Sequence, residues 1–257
     1  MTMMSVDLNS DLGEGYGSYR IGDDDGMLAL VTSANVACGF HAGDPEIMAR
    51  TFAAARGRGV AVGAHPGYPD LWGFGRRRIP YRADEIERIV AYQVGAAQAL
   101  ARYAGHPITY VKPHGALANV ACREADVADA IARAVRAVDP DLSLLAIART
   151  EQVRAGERCG LRVYQEVFAD RGYDDEGLLI ERGLPGALLE DAEEAARRAV
   201  AMVGGGAILC ASGRRLRTPI HSLCVHGDTP HAVDLARRVR AGLERAGIAL
   251  SSFGAGA

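Results

Sequence analysis

The sequence predicts an α/β protein built as a (β/α) barrel. Short runs of β-branched or apolar residues alternate with longer segments of helical period, which is the pattern of βα units on a parallel sheet. Polar and ionisable residues follow the ends of most of the short runs. The length of 257 residues suits one barrel, which typically has about 250 residues. Length alone also allows two smaller domains, but no linker, low-complexity tract or fixed repeat divides the chain, so we predict one domain over residues 1–257.

The alternation predicts seven strands and six helices. The strands are predicted at 5–10, 34–38, 60–64, 108–112, 142–148, 162–168 and 222–226. The helices are predicted near 45–57, 84–104, 123–137, 150–159, 189–203 and 230–246. Asp44–Pro45 supplies a helix N-cap with proline in the first turn, and Thr229–Pro230 repeats that arrangement. Residues 207–219, with a turn at Ser212–Gly213, are predicted as a small hairpin rather than a barrel strand.

The composition excludes several classes of protein. A hydrophobic content of 49% excludes a disordered chain. Lys and Arg number 29 against 32 Asp and Glu, so the net charge of −3 gives no basic surface for nucleic acid or an anionic membrane. The start of the sequence lacks a basic and then apolar leader, and no apolar run approaches the roughly 20 residues of a membrane span, so we expect a cytoplasmic protein. Five cysteines without CxxC spacing predict neither a disulfide framework nor a structural zinc site.

The ionisable residues of this chain fall at the carboxyl ends of the predicted strands. In an α/β barrel these ends meet on one rim, where active sites are built. Residues that serve stability would instead be spread over both rims, so we predict one polar site. Its catalytic candidates are Asp11, Glu14, His41, His65, Lys112, His114, Glu166, Asp170 and His226, and its substrate-binding candidates are Asp7, Asn9, Asn35, Arg171 and Asp228.

The pentapeptide VKPHG is the most specific local signal. Of the 29 basic residues, 28 are Arg and one is Lys, at position 112. Pro113 excludes a helix here and sends the side chains of Lys112 and His114 out at a strand end. Lysine is a compact charge whose pKa responds to burial, whereas arginine is planar and permanently charged. A single lysine at this position therefore indicates a role that arginine cannot fill.

Some candidates also have a purely structural interpretation. Asp11 and Glu14 lie in DLGEGYG, whose residue types are common in turns. Asp44 serves at least partly as a helix cap. Cys38 is more typical of a buried, inert thiol than of a nucleophile. His65 could be a structural histidine with its hydrogen bonds satisfied, although Pro66 favours an extended backbone that projects it from the rim.

Seven sequence blocks, in order from about residue 5 to 250, resemble the LamB/YcsF family, whose members are identified as A subunits of bacterial 5-oxoprolinases. The blocks are DLNSDLGEGYG, SANVACGFHAGDP, GAHPGYPD with WGFGRR, YQVGAAQAL, VKPHGAL, EVFADRGY with PGALL, and CVHGDTPHAV. Two positions depart from the family pattern. Ala118 stands where an aromatic residue is usual, and Glu181 stands where proline is common before Arg182. Both departures concern the shape of the pocket more than its chemistry.

The resemblance implies a distorted barrel of about seven parallel strands, similar to the glycoside hydrolase/deacetylase superfamily. It also implies ATP-dependent opening of the lactam 5-oxo-L-proline to L-glutamate, in a complex with two further subunits, B and C. The polysaccharide deacetylases of that superfamily bind a metal through Asp and His ligands. Asp11, His41 and His65 offer a comparable set, but the motif spacing is not met, so we assign no metal and leave open whether Mg²⁺ accompanies ATP.

The residue types suit such a reaction. A five-membered lactam is a stable amide, so coupling to ATP through phosphorylation of the amide oxygen is a reasonable route. The chain has no GxxxxGK[ST] loop, so ATP must be held by other means or by a partner protein. We predict that Lys112 and Arg171 neutralise the substrate carboxylate or the charge that develops on oxygen and phosphate.

The acid, the base and two other functions stay open at this stage. Asp11 or Glu14 would accept the proton of the attacking water, and His65, His114 or His226 would protonate the leaving nitrogen. A stand-alone metal-dependent amidohydrolase or deacetylase would need a His-rich triad with an open position, and would act without ATP or partners. A non-catalytic lactam-binding subunit would need only a few polar anchors in an apolar pocket, and the many ionisable residues disfavour it.

Overall fold

The structure, a computed structural model, describes residues 4–189, 191–228 and 231–254. The strands in these residues are β1 (Ser5–Leu12), β2 (Ser33–Ala37), β3 (Ala61–His65), β4 (Tyr110–Val111), β5 (Ser143–Ile147), β6 (Val163–Phe168), β7 (Ala207–Leu209), β8 (Arg215–Arg217), β9 (Ser222–Cys224) and β10 (Ala249–Leu250). The helices are α1 (Asp24–Leu28), α2 (Pro45–Arg58), α3 (Ala83–Tyr103), α4 (Gly115–Ala121), α5 (Ala125–Val138), α6 (Glu151–Arg158), α7 (Ala192–Gly205) and α8 (Ala232–Arg245).

Seven parallel strands close into a barrel. Their order is β1-β2-β3-β4-β5-β6-β9, and β9 pairs with β1 to complete the ring. The start of β1 also pairs in parallel with β10, where Ser5 lies opposite Ala249. Between the strands the chain crosses over through helices, as parallel pairing requires. The prediction of a (β/α) barrel with about seven parallel strands is confirmed.

All seven predicted barrel strands are present, but β4 is shorter than predicted. Its ladder covers Tyr110–Val111 instead of 108–112. Pro113, which has no backbone N–H, follows directly and prevents further pairing. Three elements were not predicted, namely α1, α4 and β10. Each has seven residues or fewer, which is too short to show a hydrophobic period.

The predicted hairpin and the first predicted helix cap are also confirmed. β7 and β8 pair antiparallel, with Ala207 opposite Arg217. The Asp44 side chain accepts hydrogen bonds from the backbone N–H groups of Glu46 and Ile47, at 2.8 and 3.0 Å, and Pro45 begins α2. The second predicted cap, Thr229–Pro230, lies outside the described residues.

The barrel interior and the layer between barrel and helices have different characters. The outer layer is apolar, and α3 packs on both α2 and α5 while α7 packs on α8. Inside the barrel, polar side chains such as Asn35 are fully buried beside Tyr110, whose hydroxyl donates to Asn35 Oδ1 at 2.7 Å. Throughout the described ranges, no helix has both the length and the apolar character that crossing a bilayer demands.

Gly63 makes room for Tyr110, and we expect Gly63→Ala to destabilise the barrel. A Cβ at this position would overlap the Tyr110 ring, and overpacking of this kind costs about 1–3 kcal/mol in the free energy of unfolding. Gly95 in α3 is the matched control, because an added Cβ meets nothing within 4 Å. Gly95→Ala should stabilise the protein by up to about 1 kcal/mol through helix propensity. Urea denaturation measures both, and wild-type stability of Gly63→Ala would contradict the packing argument.

Candidate active site

A cavity of about 750 Å³ opens at the carboxyl ends of the barrel strands. Predicted site residues from five different strand ends form its wall, in agreement with the expectation of a single polar rim. The residues in question are Asp11, Glu14, His65, Lys112, His114, Glu166, Arg171 and His226. Ala118 and Glu181, the two departures from the family pattern, also line it.

Lys112 forms the base of this cavity and is 3% exposed. Its Nζ lies 3.0 Å from Asp11 Oδ1 and 3.2 Å from Glu166 Oε2. Nζ also donates to Asn9 Oδ1 at 3.1 Å. Burial alone would lower the pKa of Lys112, but the two carboxylates outweigh it and raise this pKa well above the ordinary value. The ammonium is therefore a permanent buried charge.

The two carboxylates beside Lys112 are in different electrostatic states. Burial raises the pKa of Asp11, but His65 and Lys112 outweigh burial and hold this pKa well below the ordinary value. For Glu166, burial dominates and raises the pKa, although Lys112 opposes the shift. Asp11 is thus the firmly ionised partner of the lysine.

Three histidines and Glu14 form a second cluster beside the cavity. The rings of His41 and His114 stack with centroids 3.7 Å apart, and His114 Nδ1 lies 3.0 Å from His65 Nε2. Glu14 Oε1 lies 3.4 Å from His41 Nε2 and 3.5 Å from His114 Nδ1. Burial together with the neighbouring histidines lowers the pKa of both His41 and His114. Burial, Asp11 and Asp228 raise the pKa of Glu14.

Two glycines in the sequence blocks allow this cluster to pack. A Cβ on Gly67 would lie 2.7 Å from His41 Nδ1. Gly75 has a φ of 63°, and a Cβ there would lie 2.7 Å from His41 Cβ and 2.8 Å from His114 Cδ2. Any larger residue at either position would displace the histidines.

The structure brings together a different set of possible metal ligands from the three residues that the sequence suggested. The donor atoms of Glu14, His41, His65 and His114 all lie within 4.8 Å of one another. Asp11, one of the three weak candidates, instead pairs with Lys112 and accepts from Asn35 at 2.8 Å. Glu14 and His114 take its place because the loop after β1 and the end of β4 converge on the two other histidines.

His226 and Asp170 form a separate pair on the cavity wall. His226 Nδ1 lies 2.7 Å from Asp170 Oδ2, which leaves Nε2 available to the cavity. Burial raises the pKa of Asp170, but His226 outweighs burial and lowers it. The His226 ring stacks on Phe168 with centroids 5.4 Å apart. The arrangement fixes both the orientation and the tautomer of His226.

Three predicted substrate-binding residues do not reach the cavity, which corrects their assignment. Asp7, Asn9 and Asn35 are at most 1% exposed and lie in the barrel interior. Asn9 and Asn35 contact Lys112 and Asp11 from below, so they orient the groups that face the cavity. These three residues lie too deep in the barrel to reach the cavity. The interior of a small barrel is filled with side chains, and only the top layer meets solvent.

Arg171 lines the cavity, but most of its guanidinium serves the local fold. Nε donates to the carbonyl oxygen of Ala187 at 2.9 Å, and Nη2 donates to that of Ile180 at 2.6 Å. Burial and the nearby Arg182 lower the pKa of Arg171 to about 10. Two of its five N–H groups are therefore already used, and its predicted role as a direct anion ligand is left to Nη1 and to the second hydrogen of Nη2.

Two other arginines of the cavity wall, Arg76 and Arg182, were missed by the sequence reasoning. Arg76 forms an ion pair with the predicted substrate-binding residue Asp228, which stands beside the cavity. Arg182 pairs with no carboxylate in the part of the chain that the structure describes, and burial together with Arg76 lowers its pKa. The sequence did offer one signal for each of them. Arg76 belongs to the block WGFGRR, and Arg182 lies between EVFADRGY and PGALL.

His41 and Asp170 also stand behind the cavity wall. His41 has no solvent exposure and contacts the lining residues Glu14 and His114. Asp170 acts through His226. Both are placed to support residues that face the cavity.

The fold and this site define a parallel (β/α)-barrel protein whose cavity resembles an enzyme active site. The cavity wall holds an ammonium group, carboxyl groups and imidazole rings. The chain belongs to the LamB/YcsF family, whose sequence profile matches residues 6–256. A relative from Azorhizobium caulinodans, named as the A subunit of 5-oxoprolinase, is 60% identical over 251 residues, which cover 98% of this chain and 99% of the relative.

Two solved structures are similar to the whole barrel. The crystal structure of a lactam utilization protein from Thermus thermophilus is 45% identical and has a TM-score of 0.92, covering 97% of this chain and 100% of that chain. The catalytic domain of a peptidoglycan N-acetylglucosamine deacetylase from Eubacterium rectale is 11% identical with a TM-score of 0.54, covering 99% of this chain and 90% of that chain. The second likeness concerns the fold alone, and it agrees with the predicted resemblance to deacetylase barrels.

Asp7, below the site, should make stability fall as pH rises. Burial, opposed by hydrogen bonds from Ser222 and Ser33, raises the pKa of Asp7 from 3.8 to about 6. The unfolded chain therefore releases this proton first, and its contribution to stability, complete below pH 4, is lost as pH rises through 6. Relative to wild type, Asp7→Asn should gain up to about 3 kcal/mol in the free energy of unfolding between pH 4 and 7.

Urea denaturation at several pH values measures this difference, and Asp44→Asn is the control. Burial raises the pKa of Asp44, but the backbone N–H groups of Ile47 and Gly17 outweigh it and lower the pKa. Asn also caps helices well, so Asp44→Asn should differ from wild type by a constant amount above pH 5. An equally constant difference for Asp7→Asn would show that folding does not raise the pKa of Asp7.

Proposed function

We propose that this chain is the lactam-opening subunit of a 5-oxoprolinase, and that 5-oxo-L-proline is converted to L-glutamate in its barrel cavity. The observation that most supports this function is the buried cluster of Lys112, Asp11 and Glu166 facing the cavity next to the His226–Asp170 pair. A relative 60% identical over nearly the full length is named as the A subunit of 5-oxoprolinase.

The cavity suits a small anionic substrate. 5-Oxoproline carries one carboxylate on a five-membered ring, and a space of about 750 Å³ holds this ring together with a transferred phosphoryl group. Arg182, without a carboxylate partner among the described residues, and Arg76 stand where they can bind these anions. Guanidinium groups bind carboxylate and phosphate through paired hydrogen bonds. These two arginines take over the binding of carboxylate and phosphate that was first assigned to Lys112 and Arg171.

ATP supplies the driving force for ring opening in this proposal. Phosphorylation of the amide oxygen makes the ring carbon electrophilic, because the phosphorylated oxygen withdraws electrons and amide resonance is lost. The sequence has no P-loop, so we assign ATP binding, with Mg²⁺, to the partner subunits B and C. The need for ATP places the reaction in the cytoplasm.

Lys112 and Asp11 prepare the cavity for attack by water. The Lys112 charge lies beside the position where negative charge develops on the substrate oxygen, and a buried charge of this kind stabilises the transition state. Asp11 stays ionised and accepts a hydrogen bond from the water. Glu14 faces the three histidines instead. In this proposal a histidine therefore takes the proton that the sequence analysis assigned to Asp11 or Glu14.

We assign proton transfer to His226. Nδ1 is held by Asp170, so Nε2 receives a proton from the attacking water as the oxygen bonds to the ring carbon. The C–N bond then breaks as the added hydroxyl becomes a carbonyl group, and Nε2 returns the proton to the nitrogen, which leaves γ-glutamyl phosphate. A second water hydrolyses this acyl phosphate to L-glutamate and phosphate. His65 and His114 are less suited, because each has one ring nitrogen bound to a backbone carbonyl and the other facing its neighbour.

Reconstitution tests the proposed function. The chain is purified alone and together with its two candidate partner subunits, and 5-oxoproline-dependent ATP hydrolysis and glutamate release are measured. We expect glutamate only when all three proteins and ATP are present. Release by this chain alone without ATP would instead support a metal-dependent amidohydrolase, which the Glu14 and histidine cluster favours as the second candidate. Binding of 5-oxoproline without any turnover in the complex would support a non-catalytic subunit.

His226→Gln should lower kcat in the reconstituted complex by about 100-fold to 10,000-fold, the usual contribution of acid–base catalysis. Glutamine keeps similar volume but cannot carry the proton, so kcat should fall while KM changes little. His231→Gln is the matched control, because His231 is exposed and makes no capping hydrogen bond with its side chain. Wild-type kcat for His226→Gln would remove His226 from the mechanism.

A further inference from the structure

The tautomers of two buried histidines are fixed by backbone carbonyl groups. His65 Nδ1 lies 2.7 Å from the carbonyl oxygen of Lys112, and His114 Nε2 lies 2.8 Å from that of Phe74. A carbonyl oxygen only accepts hydrogen bonds, so each of these ring nitrogens carries the hydrogen. The opposite nitrogens, His65 Nε2 and His114 Nδ1, therefore hold lone pairs when the rings are neutral.

These two lone pairs face each other. His65 Nε2 and His114 Nδ1 are 3.0 Å apart, a distance at which two acceptors repel unless a proton or a cation lies between them. Carboxylate oxygens surround the same point, since Asp11 Oδ2 lies 3.3 Å from His65 Nε2 and Glu14 Oε1 lies 3.5 Å from His114 Nδ1. The space between the two rings is therefore surrounded by nitrogen and oxygen atoms that hold lone pairs.

A shared proton would satisfy only part of the cluster. Within the described residues, Glu14 Oε1 and both ring nitrogens of His41 have no hydrogen-bond partner. His41 is fully buried and Glu14 is 4% exposed, and unpartnered polar atoms at such depth are costly. One proton between His65 and His114 leaves all of these atoms unpaired, whereas a metal ion would also bind Glu14 Oε1 and one of the His41 nitrogens.

We propose that Glu14, His41, His65 and His114 bind one divalent transition-metal ion. Three imidazoles and one carboxylate suit Zn²⁺ or Co²⁺ better than Mg²⁺ or Ca²⁺, which prefer oxygen ligands. Metal–nitrogen distances of about 2.0–2.1 Å place tetrahedral donor atoms about 3.3 Å apart. The donor atoms here are separated by 3.0 Å for His65 and His114, by 3.4 Å for His41 and Glu14, and by 3.5 Å for His114 and Glu14.

The site lies next to the cavity rather than apart from it. Glu14, His65 and His114 line the cavity wall, and His41 closes the cluster from behind. A metal ion in this position would act as a Lewis acid on the contents of the cavity only by taking a fifth ligand, because the four side chains complete a tetrahedral set. The inference goes beyond the proposed function, because it depends on four side chains and not on the identity of the substrate.

Cobalt binding to the chain alone tests the proposal. Untagged protein is purified without chelators for metal analysis, and a chelator-treated sample is then titrated with Co²⁺ while the visible d–d absorption is recorded. We expect one bound metal per chain after purification and one Co²⁺ per chain in the titration. His41→Gln and His114→Gln should each weaken Co²⁺ binding by more than about tenfold, since even residues that only support a ligand contribute 10-fold to 100-fold.

His226→Gln is the control, because it removes an imidazole from the same cavity outside the proposed ligand set and should bind Co²⁺ like the wild type. Circular dichroism checks that each variant is folded, and Glu14→Gln provides a third variant if a histidine replacement unfolds. Equal Co²⁺ affinity of wild type and folded His41→Gln would overturn the proposal. So would metal-free protein that binds no Co²⁺ and shows a protonated His65–His114 pair by ¹⁵N NMR. No lactam, ATP or partner is used, so either result leaves the proposed function to its own test.

Discussion

The candidate site depends on one buried charge, the ammonium group of Lys112. Burying a charge is costly unless opposite charges and hydrogen bonds compensate for the loss of water, and this lysine has Asp11 and Glu166 within 3.2 Å. Asn9 accepts from the ammonium and donates to Glu166, at 3.1 and 3.3 Å. Each group therefore needs the others, because removal of Lys112 would leave two carboxylates close together without a counter-charge. The barrel supplies this compensation only when closed, since the partners of Lys112 come from β1 and β6.

The sequence was informative about which residues face inward and much less about how deep they lie. Asp7, Asn9 and Asp11 alternate along β1, and their side chains share the barrel interior, as the period of two of a strand requires. Depth depends on how far neighbouring strands are staggered around the barrel, which a single strand does not reveal. Asp11 therefore reaches the cavity, whereas Asp7 bonds to Ser222 and Ser33 far below it.

The loops limited prediction of the site in another way. Arg76 and Arg182 lie outside the regular elements, where no hydrophobic period indicates direction, so nothing local showed that both reach the cavity. The distance between His65 and His114 was equally inaccessible to sequence reasoning, since it results from carbonyl groups that fix both rings. The strands themselves were predicted well because alternation and strand-end polarity are properties of the chain alone.

The contacts around Lys112 also divide the histidines into two chemical groups. On one side, Asp11 joins Lys112 to His65 and so to the cluster with Glu14. On the other side, Lys112 Nζ lies 5.3 Å from the centre of the Phe168 ring, on which His226 stacks. His226 has a carboxylate partner and a nitrogen left for the cavity, as proton transfer requires, whereas donor atoms of the other three histidines lie within 4.8 Å of one another, as the proposed metal site requires. Histidines that looked alike in the sequence therefore have different chemical surroundings. Lys112 lies between His226 and the cluster of His41, His65 and His114.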